Sequence, residues 1–353
     1  MKVRPNLVLA ICCLSVLVMS MDGTIVNVAL PAIRKDLSAS TAGLQWIVDV
    51  YTLVIATLLM LGGSIADRFG RRRTLQTGMI VFALTSGLCS VAPNVNALIA
   101  CRALQAVGGC MLNPVAMSII TNVFLDPKER AKAIGAWGAT AAVSMAFGPL
   151  LGGALTQSIG WRAIFWINIP IGAIAVVLAQ LFVPESKAPR ARKIDPVGQG
   201  LVLVALSSLT YAVIEGRRHG WFSPLITSLF ALSFAAVVAL VVYEPRQEEP
   251  MLDLRFFKSA PFSFAAITAV GAFGAFSGFG FLNALYLQEV RGLTAFQSGF
   301  YTMPIAIMSF VFAPISGRLL GTYGARLPLL LAGLCLGVGS LILTRVEATT
   351  PVV

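Results

Sequence analysis

The stretch Gly62-Gly63-Ser64-Ile65-Ala66-Asp67-Arg68-Phe69-Gly70-Arg71-Arg72-Arg73-Thr74 decides how this chain is read. Leu44–Leu61 before it and Leu75–Ala92 after it are long apolar runs. A turn that holds four arginines, one aspartate and three glycines between two such runs is expected to be a cytoplasmic loop joining two membrane helices. It therefore orients everything on either side of it.

Composition agrees with that start. Of the 353 residues, 57% are hydrophobic and only 12% charged, with a mean hydropathy of +0.85. Soluble domains carry about a quarter charged residues, so an integral membrane protein is expected. The net charge of +11 would suit nucleic acid, but its distribution follows topology instead. The six cysteines (Cys12, Cys13, Cys89, Cys101, Cys110, Cys335) all lie in apolar runs without metal-site flanks. They read as small apolar residues in a reduced setting.

At the N-terminus, Lys2 and Arg4 precede an apolar run that could pass for a signal peptide. No small-x-small cleavage site follows, and residues 7–30 would make a helix of about 36 Å, enough to span a bilayer. An uncleaved first helix is expected.

The apolar runs define eleven candidate spans: 7–30, 44–66, 75–92, 97–122, 133–157, 163–183, 196–215, 224–243, 260–288, 297–316 and 327–345. With the N-terminus inside, the inner segments hold 18 of the 26 Lys and Arg, including Lys128, Arg130, Lys132, Lys187, Arg190, Arg192, Lys193, Arg318 and Arg326. The outer segments hold 7, and Arg102 lies within a span. That asymmetry alternates loop by loop, as a cytoplasmic N-terminus requires.

The loop Gly317-Arg318-Leu319-Leu320-Gly321-Thr322-Tyr323-Gly324-Ala325-Arg326 is a faded copy of Gly63–Arg72, with Gly321 where Asp67 stands. Such echoes point to two related bundles. If span 10 repeats span 2, residues 1–183 form a six-helix bundle and 184–258 an inserted helix pair with its linkers. Residues 259–353 are then the first three helices of a second bundle, which leads us to expect a chain short of about three C-terminal helices.

Charges inside spans cost about 2.5–3.5 kcal/mol each, so each asks for a reason. Asp22 lies slightly outward of the centre of span 1. A carboxylate there could take up and release a proton near neutrality. The competing reading is a permanent partner, either a cation or hydrogen bonds to Thr24 or Asn27. Arg102, in the outer part of span 4, needs a carboxylate or a cavity. It suits a structural ion pair with Asp22 or a role in tuning that acid. Asp49 could join the coupling or snorkel to water, and Glu215 is expected at the interface. In span 5, Pro149 among Gly148, Gly152 and Gly153 reads as a kinked, closely packed helix or as a hinge. With one histidine, His219, and no nucleotide-binding loop, triads, zinc sites and ATP-driven pumping find no support. No enzyme activity and no cofactor are expected.

Several stretches match a family. Gly63-x-x-Ala66-Asp67-Arg68-x-Gly70-Arg71-Arg72 resembles the loop signature of the major facilitator superfamily, with Ile65 for its usual leucine. Asp22–Pro31 is similar to the first-helix signature of the fourteen-span drug:proton antiporters. Arg102 and Gln105 match the fourth-helix Arg-x-x-Gln, with Ala106 in place of a glycine. Gly148-Pro149-x-x-Gly152-Gly153 resembles the antiporter motif of helix 5, with Ser144 for its first glycine. Gly160-Trp161-Arg162 through Gly172 is similar to the text that opens their sixth helix.

The resemblance implies an all-α membrane bundle laid out as 6+2+6 in a bacterial plasma membrane. It also implies alternating-access export of small amphipathic or cationic compounds, including drugs and antibiotics, in exchange for protons. Asp22 would then be the main proton site, Arg102 its modulator, and Asp67 a latch onto a helix beyond Val353, with Arg71 or Arg130 as local partners. The expected partners are the substrate, protons and the lipid bilayer, with no nucleic acid, and a monomer. A dedicated metabolite exporter or importer, or a transport-inactive scaffold or sensor, fits the same residues.

Overall fold

The computed structural model describes residues 4–188, 195–247, 250, 253–324 and 326–345. Lys2, Arg190, Arg192, Lys193 and the side chain of Arg318, counted in the topology above, lie outside what is described. Thirteen α-helices follow one another, and among the described residues there is no strand: α1 (Pro5–Leu37), α2 (Thr41–Phe69), α3 (Arg71–Ser90), α4 (Val95–Val123), α5 (Pro127–Ser158), α6 (Ala163–Trp166), α7 (Asn168–Phe182), α8 (Pro196–His219), α9 (Pro224–Tyr243), α10 (Ala260–Leu285), α11 (Ala295–Tyr301), α12 (Met303–Tyr323) and α13 (Arg326–Leu343). In a bilayer every backbone amide must be satisfied within its own segment, which is why apolar text of this length folds as helix.

Among the described residues nine helical segments are long and apolar enough to cross a membrane. Helix α3, whose start is polar, and helix α12 are 20 and 21 residues long. Together these are the eleven expected spans. Span 6 is broken at Ile167 into α6 and α7, and span 10 at Thr302 into α11 and α12. Span 9 ends in a widened π turn, Tyr286–Val290.

Helix starts carry the caps their sequences supply. The Asp126 carboxylate accepts from the amides of Lys128 and Glu129 at the head of α5, and Asp195 does the same for α8, satisfying donors that no helical carbonyl reaches. Gly70, between α2 and α3, has φ +113°, and Gly324, between α12 and α13, has φ +74°. Both values favour glycine, and the two positions align in the sequence echo.

Helices α1–α7 enclose two apolar cores. One joins Val8, Met79, Phe82, Leu112 and Ile119; the other joins Ile25, Leu30, Leu44, Leu98 and Phe165. Helices α8 and α9 pack on each other, and α8 leans on α2. There Trp46 Nε1 donates to Glu215 at 3.0 Å, and the rings of Trp46 and Tyr211 lie 5.9 Å apart. Glu215 is therefore buried against α2, near the outer end of α8, where Arg218 and His219 also approach it at 3.8 and 3.9 Å. The indole is a partner that the sequence could not place beside it. Helices α10, α12 and α13 turn most of their large apolar side chains outward.

Candidate functional site

Asp22 and Arg102 meet at the centre of the α1–α7 bundle. Arg102 Nη1 lies 2.5 Å from Asp22 Oδ2, with the two side chains 1% and 0% exposed. The other carboxylate oxygen, Oδ1, accepts from Gln105 Nε2 at 3.1 Å and from Asn168 Nδ2 at 2.9 Å. Arg102 also donates to Gln105 Oε1 at 2.7 Å and to the Ile47 carbonyl at 3.3 Å. Its guanidinium lies 4.1 Å from the ring centre of Tyr51. A buried ion pair offsets its desolvation only when the remaining donors and lone pairs are also filled, and this one is filled from α1, α2, α4 and α7.

The local sequence explains the assembly. Arg102 and Gln105 are three apart on α4, so they share a face. The break at Ile167 starts α7 at Asn168, whose amide also donates to Ser86 Oγ on α3 at 3.0 Å. Of the partners considered for Asp22, the cation is the one present. Thr24 instead donates to the carbonyls of Ser20 and Met21.

Asp49 lies elsewhere, half-buried on α2 at the wall of a cavity of about 1050 Å³ between α1, α2 and α5 on one side and α10–α13 on the other. Thr24, Asn27 and Gln45 contribute polar groups, Phe276 and Phe281 apolar ones. Among the described lining residues Asp49 is the one with a charge, and it has no hydrogen-bond or ion-pair partner among the described residues. Size and lining suit a small molecule held by apolar surface with a few polar groups.

The end of the cavity assigned to the outside by the arginine count is closed by contacts between the first six spans and the later helices. Arg34 Nη1 lies 2.7 and 2.6 Å from the two oxygens of Glu289. Gln288 Nε2 donates to the Val28 carbonyl at 2.9 Å. Helices α5 and α11 approach so closely that a Cβ on Gly153 would lie 2.8 Å from Phe296 Cα, and one on Gly299 3.0 Å from Leu150 Cα. Gly148 and Gly152 likewise face Thr24 and Ile25 of α1 with no room for a side chain. The helix 5 glycines are thus contact surfaces, and Pro149 sits inside a continuous helix.

In the arginine-rich loop, Asp67 pairs with Arg71 at 3.4 Å. Arg130 donates instead to the Phe124 and Leu125 carbonyls. The principal partner of this loop was not foreseen. Glu185 accepts from the amides of Arg72 and Arg73 at 3.1 and 3.3 Å, capping α3, and its carboxylate fills the space beside Gly70. The Arg71 amide also donates to the Ser186 carbonyl at 2.9 Å. Arg68 lies 5.9 Å from the ring centre of its neighbour Phe69. Asn168 and Glu289 were missed as well. Asn168 lies within the stretch likened to the family's sixth helix, but that likeness gave it no role, and Glu289 is an acid in an outer loop with no motif of its own.

Comparison with known proteins places this geometry. The chain is 39% identical over 318 residues to the multidrug resistance protein Stp of Mycobacterium tuberculosis, covering 90% of this chain and 59% of Stp. It is 36% identical over 318 residues to a methylenomycin A resistance protein of Bacillus subtilis, covering 88% and 67%. It is 34% identical over 340 residues to the tetracenomycin C resistance and export protein of Streptomyces glaucescens, covering 96% and 63%. The chain thus spans about three fifths of the length of the curated relatives it matches. Among solved structures, tetrameric PepTSo2 superposes with a TM-score of 0.64 at 15% identity, covering 96% of this chain and 76% of that one. A peptide transporter POT in complex with sulfate gives 0.59 at 15%, covering 90% and 69%; both likenesses concern the fold alone. The family model of the Major Facilitator Superfamily matches residues 12–353, and this multi-pass membrane chain belongs to that superfamily of transporters.

Proposed function

We propose that this protein exports small amphipathic or cationic compounds in exchange for protons, by alternating access between a state closed outside and one closed inside. The observation that carries the reading is the cavity whose charged wall residue is Asp49, set beside the sealed Asp22–Arg102 cluster on the same helices. A single acid in an otherwise apolar and hydroxyl-lined chamber favours ligands that bring one positive charge and a large apolar body. Asp22 is the group whose protonation would unload Arg102 and loosen α1 from α4. The helix 5 glycines form the surface on which α1 and α11 move, and the loop from Gly63 to Arg72 ties α2 to α3 at the opposite end. The names of the relatives support antibiotics and drugs as the substrates.

The test is counterflow in liposomes. An imposed proton gradient is expected to drive ethidium movement, and Asp22→Asn, at matched amounts of folded protein, is expected to abolish the dependence on the gradient. Ethidium movement that ignores the gradient would refute proton coupling, and undiminished coupling in Asp22→Asn would refute the assigned site.

A further inference from the structure

We infer that Asn168 is a positioning residue that reads the protonation state of Asp22 through rotation of its amide; the inference rests on the proton-coupling reading above. Two observations carry it. Asn168 is 1% exposed, and its Nδ2 donates to both Asp22 Oδ1 and Ser86 Oγ. Its own carbonyl oxygen, Oδ1, has no hydrogen-bond partner among the described residues although it is fully buried. A buried acceptor left unpaired costs about 1–3 kcal/mol, so an orphan beside a candidate proton site asks for a second state in which it is used.

The ionised carboxylate is an acceptor only, and Arg102, Gln105 and Asn168 supply the donors it needs. A proton arriving on Asp22 Oδ1 makes that oxygen a donor as well as a weaker acceptor, facing two amide N–H groups that cannot accept its hydrogen. The new O–H needs an acceptor. Gln105 Oε1 is already taken by Arg102, and the Ser86 hydroxyl donates to the Phe165 carbonyl at 2.9 Å. Asn168 Oδ1 is uncommitted. Rotation about the Cβ–Cγ bond, a broad and soft torsion, turns it toward the proton.

The same rotation withdraws Nδ2 from Asp22 and from Ser86. Loss of a charge on α1 is thereby passed to α3 and α7, across the break at Ile167. The titratable and charged groups around Asp22 are Arg102 on α4, Tyr51 on α2 and Cys89 on α3. Arg102 has no acceptor, and the Cys89 thiol donates to Gln105 Oε1. The Tyr51 hydroxyl has no hydrogen-bond partner among the described residues; its ring stacks on Arg102 rather than the hydroxyl bonding to Asp22, and it is kept constant in the test.

The experiment follows ethidium transport in liposomes against pH for the wild type, Asn168→Leu and Asn168→Ser. Leucine has nearly the shape of asparagine and removes both the amide donor to the ionised form and the acceptor offered to the protonated form. Because these two losses oppose each other, Asn168→Leu is expected to move the pH midpoint of transport by less than about half a unit, whereas removal of an amide that only donates would raise it by about one unit, a tenfold gain of proton affinity. The KM for ethidium should change less than twofold, because the cavity is untouched. Asn168→Ser, whose hydroxyl both donates and accepts, should keep the wild-type midpoint and covers the case in which the leucine variant does not fold. A midpoint that rises by about one unit or more in the folded variants, with the wild type gradient-dependent, overturns the inference alone. A wild type indifferent to the gradient overturns the proton-coupling reading and the inference with it.

Discussion

Asp22 and Asp49 are both aspartates within membrane helices of one bundle, yet their surroundings are opposite. Asp22 is wrapped by a guanidinium, two amides and the packed rings around them. Asp49 stands at a chamber wall with no protein partner among the described residues. Under the proposed function, the difference separates two tasks that a sequence shows as one kind of letter: holding helices together and meeting a ligand. In the first region the polar groups answer one another, and in the second they face an opening.

The comparison predicts unequal costs for similar changes. Removing the charge of Asp22 leaves Arg102 buried and unpaired, and Asp22→Asn should lower stability in detergent by about 3–5 kcal/mol. The double variant Asp22→Asn with Arg102→Leu should recover part of that loss in a denaturation cycle. A fully stable Asp22→Asn would mean that the cluster is not closed. Gly299→Leu crowds the α5–α11 contact and should cost about 1–3 kcal/mol. It should also expose a cysteine placed at Gln288 to a membrane-impermeant thiol reagent added outside. Glu185→Ala removes the cap of α3 and should cost about 1 kcal/mol by thermal melting; no change would show that the arginine-rich loop holds its own shape. Arg34→Ala breaks a pair about one third exposed and should cost under about 1 kcal/mol. Asp49→Asn should fall within about 0.5 kcal/mol of the wild type while reducing ethidium efflux severalfold. Normal efflux in that variant would remove the acid from ligand contact.

Much of this was legible in the sequence, for physical reasons. The eleven spans and the charge-dense turn were readable because the bilayer forces apolar runs into helices and places arginines beside them. The Asp22–Arg102 pair was foreseeable because neither charge is tolerable alone in a span. What stayed hidden depends on how helices rotate and cross. Glu185 meets Arg72 and Arg73 across 112–113 positions of chain, and Glu289 meets Arg34 across 255. Asn168 is an ordinary amide until the break at Ile167 aims it at Asp22. Nothing near Glu215 in the sequence points to Trp46, whose indole reaches it across 169 positions. No periodicity within one helix encodes the face its neighbour presents.

The seam that closes the outer end is built largely from main chain. Gly153 and Gly299 press against backbone atoms of the facing helix, and Gln288 reaches a carbonyl of α1. Backbone atoms are common to all residues, so such a closure keeps its fit while chamber side chains such as Phe276 or Gln45 are exchanged. If the protein exports as proposed, its outer closure depends on main-chain fit and not on which side chains line the chamber.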